Sequence, residues 1–489
     1  MHGVAGCGEP CGLLRKLCAV HGAPFQKCTG SQHRSSINWP DALSVGTQHF
    51  RALLRFDTTN PPGNERLAAD YIARVLREAG IEPLILESAP GRANLVARHK
   101  GDGSLPPLLL MGHVDVVSAE PDKWTHPPFS GDCDAAGQIF GRGAVDMKNT
   151  VTAHLMSLLL LKQRAANGQP LKRDVIFLAL ADEETGGEFG AKWMAREHAH
   201  LISDAQYALN EGGGGVMLVN GQRYITIQAG EKGTSRFYLR ARGNPGHGSV
   251  PQPQASIVRL AAAVQRLGSN YLPVHLTQTV RSCLTVLMQT QPPAVAAMFA
   301  DLLQTGDADR IVPQLPMDDF ERRMLQAQLR NTAMPTIFQA GRQLNVIPDF
   351  AEAGIDGRLL PGCTREEFHA ELLALLGEAG RDVQLEWHPH FGPALETDPT
   401  GPLTNVIREV LAETDPALHL LPTLVTGGTD AKALVPLGIK VLGYSPQPPT
   451  DTDTFNRAHA HDERLHIDSF HYCVRNTFEI VERFATRNA

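Results

Sequence analysis

The segment Leu108–Asn149 constrains this sequence most, because a buried strand leads there directly into residues that can bind a metal. Leu108–Gly112 are apolar or small and predict a strand that ends at the motif HVD. Side chains alternate along a strand, so His113 and Asp115 are expected to point to the same side. A carboxylate beside an imidazole orients a metal-binding histidine. A turn-rich passage then ends at Asp146, ahead of an apolar helical run, so we interpret the segment as half of a metal site.

Strand and helix patterns alternate on both sides of this segment, which is typical of an α/β protein with a mostly parallel sheet covered by helices. Such sheets place their chemistry at the carboxyl ends of the strands. Strands are predicted at Glu82–Leu86, Asn94–His99, Leu108–Val116, Asp174–Leu180, Ala205–Leu209 and Ile439–Tyr444. Helices are predicted near Asp41–Phe56, Glu65–Ala79, Thr150–Ala165, Ala191–His198, Leu403–Glu413 and Ile467–Ala485.

The pattern changes from about residue 233, where half-buried strands accompany two helices and a long helical and loop region rich in Gln and Pro. We expect an inserted α+β lid or dimerisation domain at 233–395, within a catalytic domain formed by 39–232 and 396–489. Residues 1–38 are expected to be a disordered extension. The inserted elements are predicted as strands Arg236–Arg242, Met334–Gln339, Glu352–Arg358 and Val383–His388 and helices Ser256–Leu267 and Thr364–Ala379.

Composition excludes several classes of partner. The chain has 489 residues, a hydrophobic content of 42% and a formal net charge of -7, so it can bury a large core and does not favour nucleic acid or an anionic membrane surface. No apolar run approaches the roughly 18 residues of a membrane span. Four cysteines lie within the first 28 residues, at spacings that match no common zinc pattern. The other four are scattered singly, which indicates a cytoplasmic protein.

Candidate metal ligands follow the predicted strands or lie in loops of the catalytic domain. Imidazole and carboxylate together are the ligands of cations such as zinc. Two histidines with several carboxylates, one of them able to bridge, are typical of a two-metal site. The candidates are His113, Asp146, Glu184, Asn210 or Glu211, and His459.

Glu183 and Glu184 are neighbours, so they cannot occupy the same metal in the same way. One can ligate while the other accepts a proton from a water that the metals activate. Each signal also has a structural explanation. A histidine at a strand end can be part of a core, a Glu-Glu pair can begin a solvated helix, Asp146 can cap the following helix, and the run AHAHDE can be a polar loop. Their combination in order favours the metal site.

The motifs GHVDVV, GRGAVDMKN, ADEETGG, ALNEGG, GHGSVP, GGTDA and AHAHDE resemble those of a two-zinc amidohydrolase and exopeptidase family. That family includes aminoacylase, acetylornithine deacetylase, succinyl-diaminopimelate desuccinylase and glutamate carboxypeptidase, and the resemblance covers about residues 40–489. It implies two Zn²⁺ ions, with Co²⁺ or Mn²⁺ as substitutes. By this likeness His113 and Glu184 each bind one ion, Asp146 bridges both, His459 completes the second, Glu183 is the general base and Asp115 orients His113.

One position departs from the family pattern. The family usually has Asp or Glu before Glu-Gly, whereas this chain has Asn210. A neutral amide oxygen is a poorer zinc ligand, so either Asn210 binds weakly or Glu211 replaces it.

The resemblance also assigns roles in the inserted domain. His247 resembles a histidine that donates to the oxyanion, often across a dimer interface, and Arg358 resembles an arginine that binds a substrate carboxylate. Asn345 is expected to assist, and Gly428 and Thr429 to line the pocket.

These features predict a metal-dependent hydrolase of an amide or peptide bond next to a free carboxylate, of carboxypeptidase or aminoacylase type. The expected substrate is a small peptide or an N-acyl amino acid, and a homodimer through the lid is expected by analogy. Two alternatives stay open. One is a deacylase for acetylornithine or succinyl-diaminopimelate, and the other is a non-catalytic binding protein that keeps the fold.

Overall fold

The computed structural model describes residues 37–487. The disordered extension expected at 1–38 lies almost entirely outside these residues. The described helices are Trp39–Leu54, Arg66–Glu78, Lys148–Ala166, Ala191–Glu197, Ser256–Gly268, Gln278–Thr290, Pro293–Thr305, Ala308–Ile311, Asp319–Gln328, Arg365–Leu376, Pro402–Thr414 and Ile467–Thr486.

Ten strands form a large central sheet. They are β1 (Leu84–Ala89), β2 (Arg92–His99), β3 (Leu108–His113), β5 (Val175–Leu180), β6 (Tyr207–Asn210), β7 (Val216–Val219), β8 (Gln222–Glu231), β16 (Leu395–Glu396), β17 (His419–Val425) and β18 (Lys440–Gly443). A short ribbon pairs β4 (Gln138–Phe140) with β19 (Arg464–His466).

The middle of the central sheet is parallel, in the order β5, β3, β6, β18. Its outer strands pair antiparallel, apart from β17, which runs parallel to β8. β3 is buried throughout, because helices cover both faces of the sheet. Leu108 and Leu110 pack into one core cluster, whereas Leu109 and Met111 pack into another, as the alternation of side chains along a strand requires. The expected α/β fold is confirmed.

A second sheet of five antiparallel strands forms the predicted lid. It contains β9 (Gly233–Thr234), β10 (Phe237–Arg242), β12 (Thr332–Ala340), β14 (Phe350–Leu359) and β15 (Val383–Trp387), and a separate hairpin pairs β11 (Gly246–His247) with β13 (Val346–Ile347). Helices Ser256–Gly268 and Arg365–Leu376 pack on this sheet around Phe237 and Leu239.

The helical region between residues 278 and 328 packs mainly against the central sheet. Its core cluster includes Tyr224 of β8 and Leu421 of β17, together with Leu284 and Phe299. The region expected as one insert therefore contributes helices to the neighbourhood of both sheets. The domain limits 39–232, 233–395 and 396–489 stay a prediction.

None of the described helices is long and apolar enough to cross a membrane. The four described cysteines, Cys133, Cys283, Cys363 and Cys473, are free thiols. The cytoplasmic location stays a prediction.

Candidate metal centre

Parallel pairing brings three chain segments to one edge of the central sheet. β3 ends at His113, β5 ends just before the turn that carries Glu183 and Glu184, and β6 ends at Asn210. Because these strands run side by side in the same direction, the residues that follow them converge. The site predicted from separate motifs is thereby assembled at one place.

The first group of potential ligands contains His113, Asp146 and Glu211. His113 Nε2 lies 3.0 Å from Asp146 Oδ1 and 3.7 Å from Glu211 Oε2. The other oxygen of Glu211 is buried and has no hydrogen-bond partner among the described residues. An unpartnered buried carboxylate oxygen costs free energy, so it marks a place where a cation would be favourable.

The second group contains Asp146, Glu184 and His459. His459 Nε2 lies 3.1 Å from Asp146 Oδ2 and 3.3 Å from Glu184 Oε1. Asp146 thus presents one oxygen to each histidine. Hydrogen bonds from His459 to these two carboxylates raise the pKa of its imidazole to about 10.

The spacing of these atoms is compatible with two bound cations. Zinc ligands lie about 2.0–2.2 Å from the ion, and in a tetrahedral site two of them are therefore roughly 3.3–3.6 Å apart. Within each group one nitrogen and two carboxylate oxygens lie within 4.8 Å of one another. The residues present therefore fit a dinuclear centre of imidazole and carboxylate ligands, with Asp146 shared.

Asn210 and Glu211 differ in their surroundings. Asn210 donates from Nδ2 to Thr429 Oγ1 at 3.1 Å, whereas Glu211 points toward His113. Of the two alternatives that the sequence left open, the geometry favours Glu211. The chain leaves the strand between these residues, since Asn210 still pairs with Gly443 of β18 and Gly212 has a positive φ of 85°. The alternation of side-chain direction along β6 therefore does not apply to Glu211.

Asp115 supports the centre through its backbone and its side chain. The carbonyl of Asp115 lies 3.0 Å from His113 Nδ1, whereas the carboxylate is 3.4 Å from that nitrogen. Its carboxylate accepts hydrogen bonds from the backbone N–H groups of Glu183 and Glu184 at 3.1 Å and 3.2 Å. Asp115 therefore positions both His113 and the Glu-Glu turn.

A buried network that the sequence motifs did not predict lies behind this turn. Asn60 donates to Asp115 at 2.9 Å and to Asp182 at 3.0 Å, and Arg92 bridges Asp182 and Glu65. Asp182 has a positive φ of 70°, which is uncommon for a residue with a side chain and is held here by these hydrogen bonds. The loop around Asn60 was predicted, but its contacts join residues that are far apart in sequence.

A second missed pair fixes the loop that carries His459. Glu463 accepts backbone hydrogen bonds from Val145 and Asp146 and forms a buried ion pair with Arg142 at 2.7 Å. Arg142 also donates to the carbonyl of His459 at 3.3 Å. One ion pair thus holds both the segment of Asp146 and the loop of His459. Arg142 and Glu463 lie within the motifs GRGAVDMKN and AHAHDE, but the motifs did not predict that the two residues pair.

A cavity of about 1030 Å³ opens beside the centre, between the central sheet and the lid. Glu183, Glu184 and His459 line it together with Arg358 and Lys432. We call it the polar cavity. Gly428 and Thr429 line it as well. The structure therefore brings together the predicted base Glu183, the two potential ligands Glu184 and His459, and Arg358, the residue predicted to bind a substrate carboxylate.

Burial and neighbouring charge control the electrostatics of the polar cavity. Burial raises the pKa of Glu183 well above the usual carboxyl range, and the charges of Glu211 and Asp430 raise it further. Burial also lowers the pKa of Lys432, whose ammonium donates to the carbonyls of Lys232 and Gly427. The cavity thus contains cationic groups and a carboxyl group with a proton affinity far above normal.

His247 and Asn345 lie elsewhere in the lid. His247 is exposed, belongs to the hairpin of β11 and β13, and has Nδ1 2.7 Å from Ser249 Oγ. The carbonyl of Asn345 accepts from the N–H of Gly248 at 2.8 Å. Neither residue is among those that line the polar cavity. Their predicted roles stay predictions.

Comparison with known proteins identifies the family. The pattern of Peptidase family M20/M25/M40 matches residues 109–483, which is most of the chain. The chain belongs to this family. It is therefore a metallohydrolase of amide or peptide bonds, as the motifs predicted, and its expected substrates are peptides or N-acyl amino acids.

Two curated relatives have activities of these types. The chain is similar to human N-fatty-acyl-amino acid synthase/hydrolase PM20D1, at 29% identity over 79% of this chain and 75% of the relative. It is also similar to mouse aminoacylase-1, at 25% identity over 88% of this chain and 93% of the relative.

Solved structures share the fold. An M20 family metallo-carboxypeptidase from Sulfolobus solfataricus superposes with a TM-score of 0.65 at 20% identity, over 89% of this chain and 98% of that one. A dinuclear metal-binding peptidase of the M20 family from Bacillus subtilis gives a TM-score of 0.55 at 16% identity, over 90% and 98% of the two chains.

Proposed function

We propose that this enzyme hydrolyses the amide bond of an N-acyl amino acid, or the last peptide bond of a small peptide, and that it requires a free carboxylate beside that bond. The observation that carries the proposal is the placement of Asp146 between the two histidine-containing ligand groups. Glu184 and His459 of the second group line a cavity that Arg358 and Lys432 line as well.

We propose zinc as the resident metal. His113, Asp146 and Glu211 would hold one ion, and Asp146, Glu184 and His459 the other. When bound, two such ions polarise a carbonyl group and lower the pKa of water. The mixed imidazole and carboxylate ligands support zinc, while Co²⁺ and Mn²⁺ accept similar ligands.

Glu183 is proposed to carry the proton. It lines the polar cavity beside the two ligand groups, and its backbone is fixed by Asp115. In this position it can accept a proton from the attacking water and pass it to the leaving nitrogen. This assignment follows from the position of Glu183 next to Glu184.

The substrate carboxylate is proposed to bind at Arg358. Its guanidinium donates to Asp356 at 3.0 Å and to Thr234 at 3.3 Å, which leaves its planar donor group oriented at the wall of the polar cavity. A planar guanidinium recognises a carboxylate with two hydrogen bonds. Lys432 supplies a second positive charge from the central domain.

A homodimer through the lid is also proposed. β12 lies at the edge of the lid sheet and exposes Met334, Ile337 and Phe338. An edge strand has unpaired backbone groups that can pair with another chain. A second copy of this chain would cover these side chains, and we propose that its His247 then donates to the substrate oxyanion.

The proposed function is tested by metal analysis together with hydrolysis of a panel of N-acyl amino acids and dipeptides. We expect about two metals per chain and turnover that Glu183→Gln abolishes while the metals are retained. A matched control is Glu188→Gln, because Glu188 lines the outer part of the same cavity and is exposed.

Two results would contradict the proposal. Hydrolysis confined to acetylornithine or succinyl-diaminopimelate would identify a dedicated deacylase. Absence of bound metal and of turnover, even after addition of zinc, cobalt or manganese, would favour a binding protein.

A further inference from the structure

A second cavity also reaches the metal-binding groups. Its volume is about 580 Å³, and Asp146 and Glu211 line it. Phe320 lines it as well and is 62% exposed, so the cavity extends from the ligand groups to the protein surface. Of the described residues, Thr429 alone lines both this cavity and the polar cavity. The metal centre therefore has two separate openings.

The lining of the second cavity is acidic. Its described residues include five carboxylates and no Lys, Arg or His, and the carboxylates belong to Asp146, Glu211, Asp318, Glu321 and Asp451. The polar cavity has four carboxylates but also five Lys or Arg side chains, namely Lys192, Arg196, Arg236, Arg358 and Lys432. A divalent cation is thus attracted into the second cavity, whereas it meets like charges in the polar cavity. We call the second one the acidic cavity.

Three of these carboxylates belong to neither ligand group, and their hydrogen bonds come from neutral donors. Asp318 accepts from the backbone N–H of Glu321 at 2.7 Å, and Glu321 accepts from that of Asp318 at 3.1 Å. Asp451 accepts from the hydroxyls of Thr454 and Ser469. Neutral donors do not cancel the charge of a carboxylate, so all three can attract a cation.

Buried residues of the acidic cavity carry oxygen atoms without a partner. Gln228 is 3% exposed and Gln447 is 2% exposed, and the amide oxygen of each has no hydrogen-bond partner among the described residues. Gln228 Nε2 donates to Glu231 at 2.6 Å, which leaves Oε1 as the free acceptor. Buried acceptors without a donor cost free energy, and amide and carboxylate oxygens are ligands of divalent cations. These oxygens therefore favour a cation independently of the carboxylates.

We propose that the acidic cavity is the route by which divalent metal ions reach the metal centre. The three carboxylates outside the ligand groups would attract the ion. The free oxygens of Gln228 and Gln447 would then replace part of its water shell before it meets Asp146 and Glu211. This inference rests on the proposed function, since it requires the ligand groups to hold metal. It goes beyond that function because it assigns metal loading and substrate binding to two different cavities.

The test mixes the metal-free full chain with Co²⁺ and follows the visible absorption of the bound ion by stopped flow. The double variant Asp318→Asn/Glu321→Gln removes two negative charges but keeps the oxygens that cap the helix Asp319–Gln328. It is expected to lower the association rate constant about tenfold at low ionic strength. The difference should disappear near 1 M salt, where the Debye length is about 3 Å. The metal content at saturation should stay at the wild-type value.

The matched control is Glu366→Gln/Glu367→Gln. It removes the same charge from the first turn of the helix Arg365–Leu376, where Glu367 also belongs to a capping box. Neither residue lines the polar or the acidic cavity, so uptake of Co²⁺ should equal that of the wild type. Met324→Lys, which places a positive charge in the wall of the acidic cavity, should slow uptake at least about tenfold. The thermal midpoint verifies that each variant is folded.

The inference is overturned if Asp318→Asn/Glu321→Gln takes up Co²⁺ at the wild-type rate, or if the control variant is slowed equally. Faster uptake by Lys192→Gln with no change in the double variant would identify the polar cavity as the route. Failure of the proposed function looks different. A chain that holds two metals but hydrolyses no substrate still tests the route in full, whereas a chain that holds no metal at saturation would contradict both.

Discussion

At the scale of single residues, the choice between Asn210 and Glu211 is the sharpest question. Glu211→Gln is expected to lower the metal content from about two to about one, because it removes a negatively charged ligand from the group around His113. Asn210→Ala breaks only the hydrogen bond to Thr429 and should retain both metals. Elemental analysis after dialysis measures the difference. Equal loss in both variants would show that Asn210 takes part in binding.

A second prediction at the scale of single residues concerns the ion pair between Arg142 and Glu463. Glu463→Gln leaves a buried guanidinium without its countercharge, which typically costs about 3–5 kcal/mol. We expect a lower thermal midpoint and weaker binding of the metal at His459, because Arg142 holds the carbonyl of that residue. The metal-free and metal-loaded proteins are compared by calorimetry.

The matched control is Glu82→Gln, which breaks an exposed ion pair with Arg77. Exposed pairs contribute at most about 1 kcal/mol, so this variant should behave like the wild type. An equal effect of both substitutions would show that burial of the Arg142 pair does not contribute to the stability of the site.

At the scale of secondary-structure elements, His49 connects the first two helices and makes stability depend on pH. Its Nδ1 lies 2.8 Å from the hydroxyl of Tyr71, and burial lowers its pKa to about 4, with a further contribution from Arg74 and an opposing one from Glu78. The unfolded chain, with a histidine pKa near 6.5, binds more protons than the folded chain between about pH 4 and 6.5. Folding stability should therefore fall as the pH decreases through this window.

His49→Gln is expected to reduce the number of protons taken up on unfolding by up to one. Over the whole window this corresponds to about 3 kcal/mol of unfolding free energy. Urea unfolding of the metal-free protein at pH 4.5, 5.5 and 6.5 measures it. His200→Gln on the exposed surface is the control. His154 is buried with its pKa lowered to about 3, so a residual slope is expected in the variant.

The elements themselves were predictable wherever local pattern and burial agree. β3, β5 and β6 were predicted because continuous apolar runs are buried on both faces, and their parallel pairing follows from the intervening helices. β17 was missed, because Pro422 inside HLLPTLV argues against a central strand. β8 was missed as well. It contains several polar residues, and Gln228 and Glu231 become buried only through long-range contacts.

At the scale of the whole molecule, the sequence predicted which motifs meet but not the side chains that support them. Asn60 contacts Asp115 and Asp182, and Glu463 contacts Arg142, across 55 to 321 positions of the chain. Such partners follow from the topology and carry no periodic signal of their own. The acidic cavity, of about 580 Å³, has the same origin, since Met217 of β7 and Met324 of the helix Asp319–Gln328 both line it although about one hundred residues separate them.

The last prediction concerns the proposed dimer. In that dimer each active site would contain residues from both copies of the chain. Glu183 lines the polar cavity of its own chain, whereas His247 is exposed and lies outside that lining. Glu183→Gln and His247→Ala should each be nearly inactive alone. After subunit exchange, half of the dimers would contain both variants, and each of these would hold one intact site, so about one quarter of wild-type activity is expected.

A mixture of Glu183→Gln and Asp146→Asn is the control, because both residues belong to the same site of the same chain and no exchange can restore it. Sedimentation velocity of Ile337→Lys, which places a charge on the exposed strand β12, should show monomers. If the first mixture also stays inactive while the dimer forms, then His247 acts within its own chain. Full activity of His247→Ala alone would show that His247 takes no part in catalysis. Recovery in the first mixture alone requires His247 from one subunit to complete the site of the other.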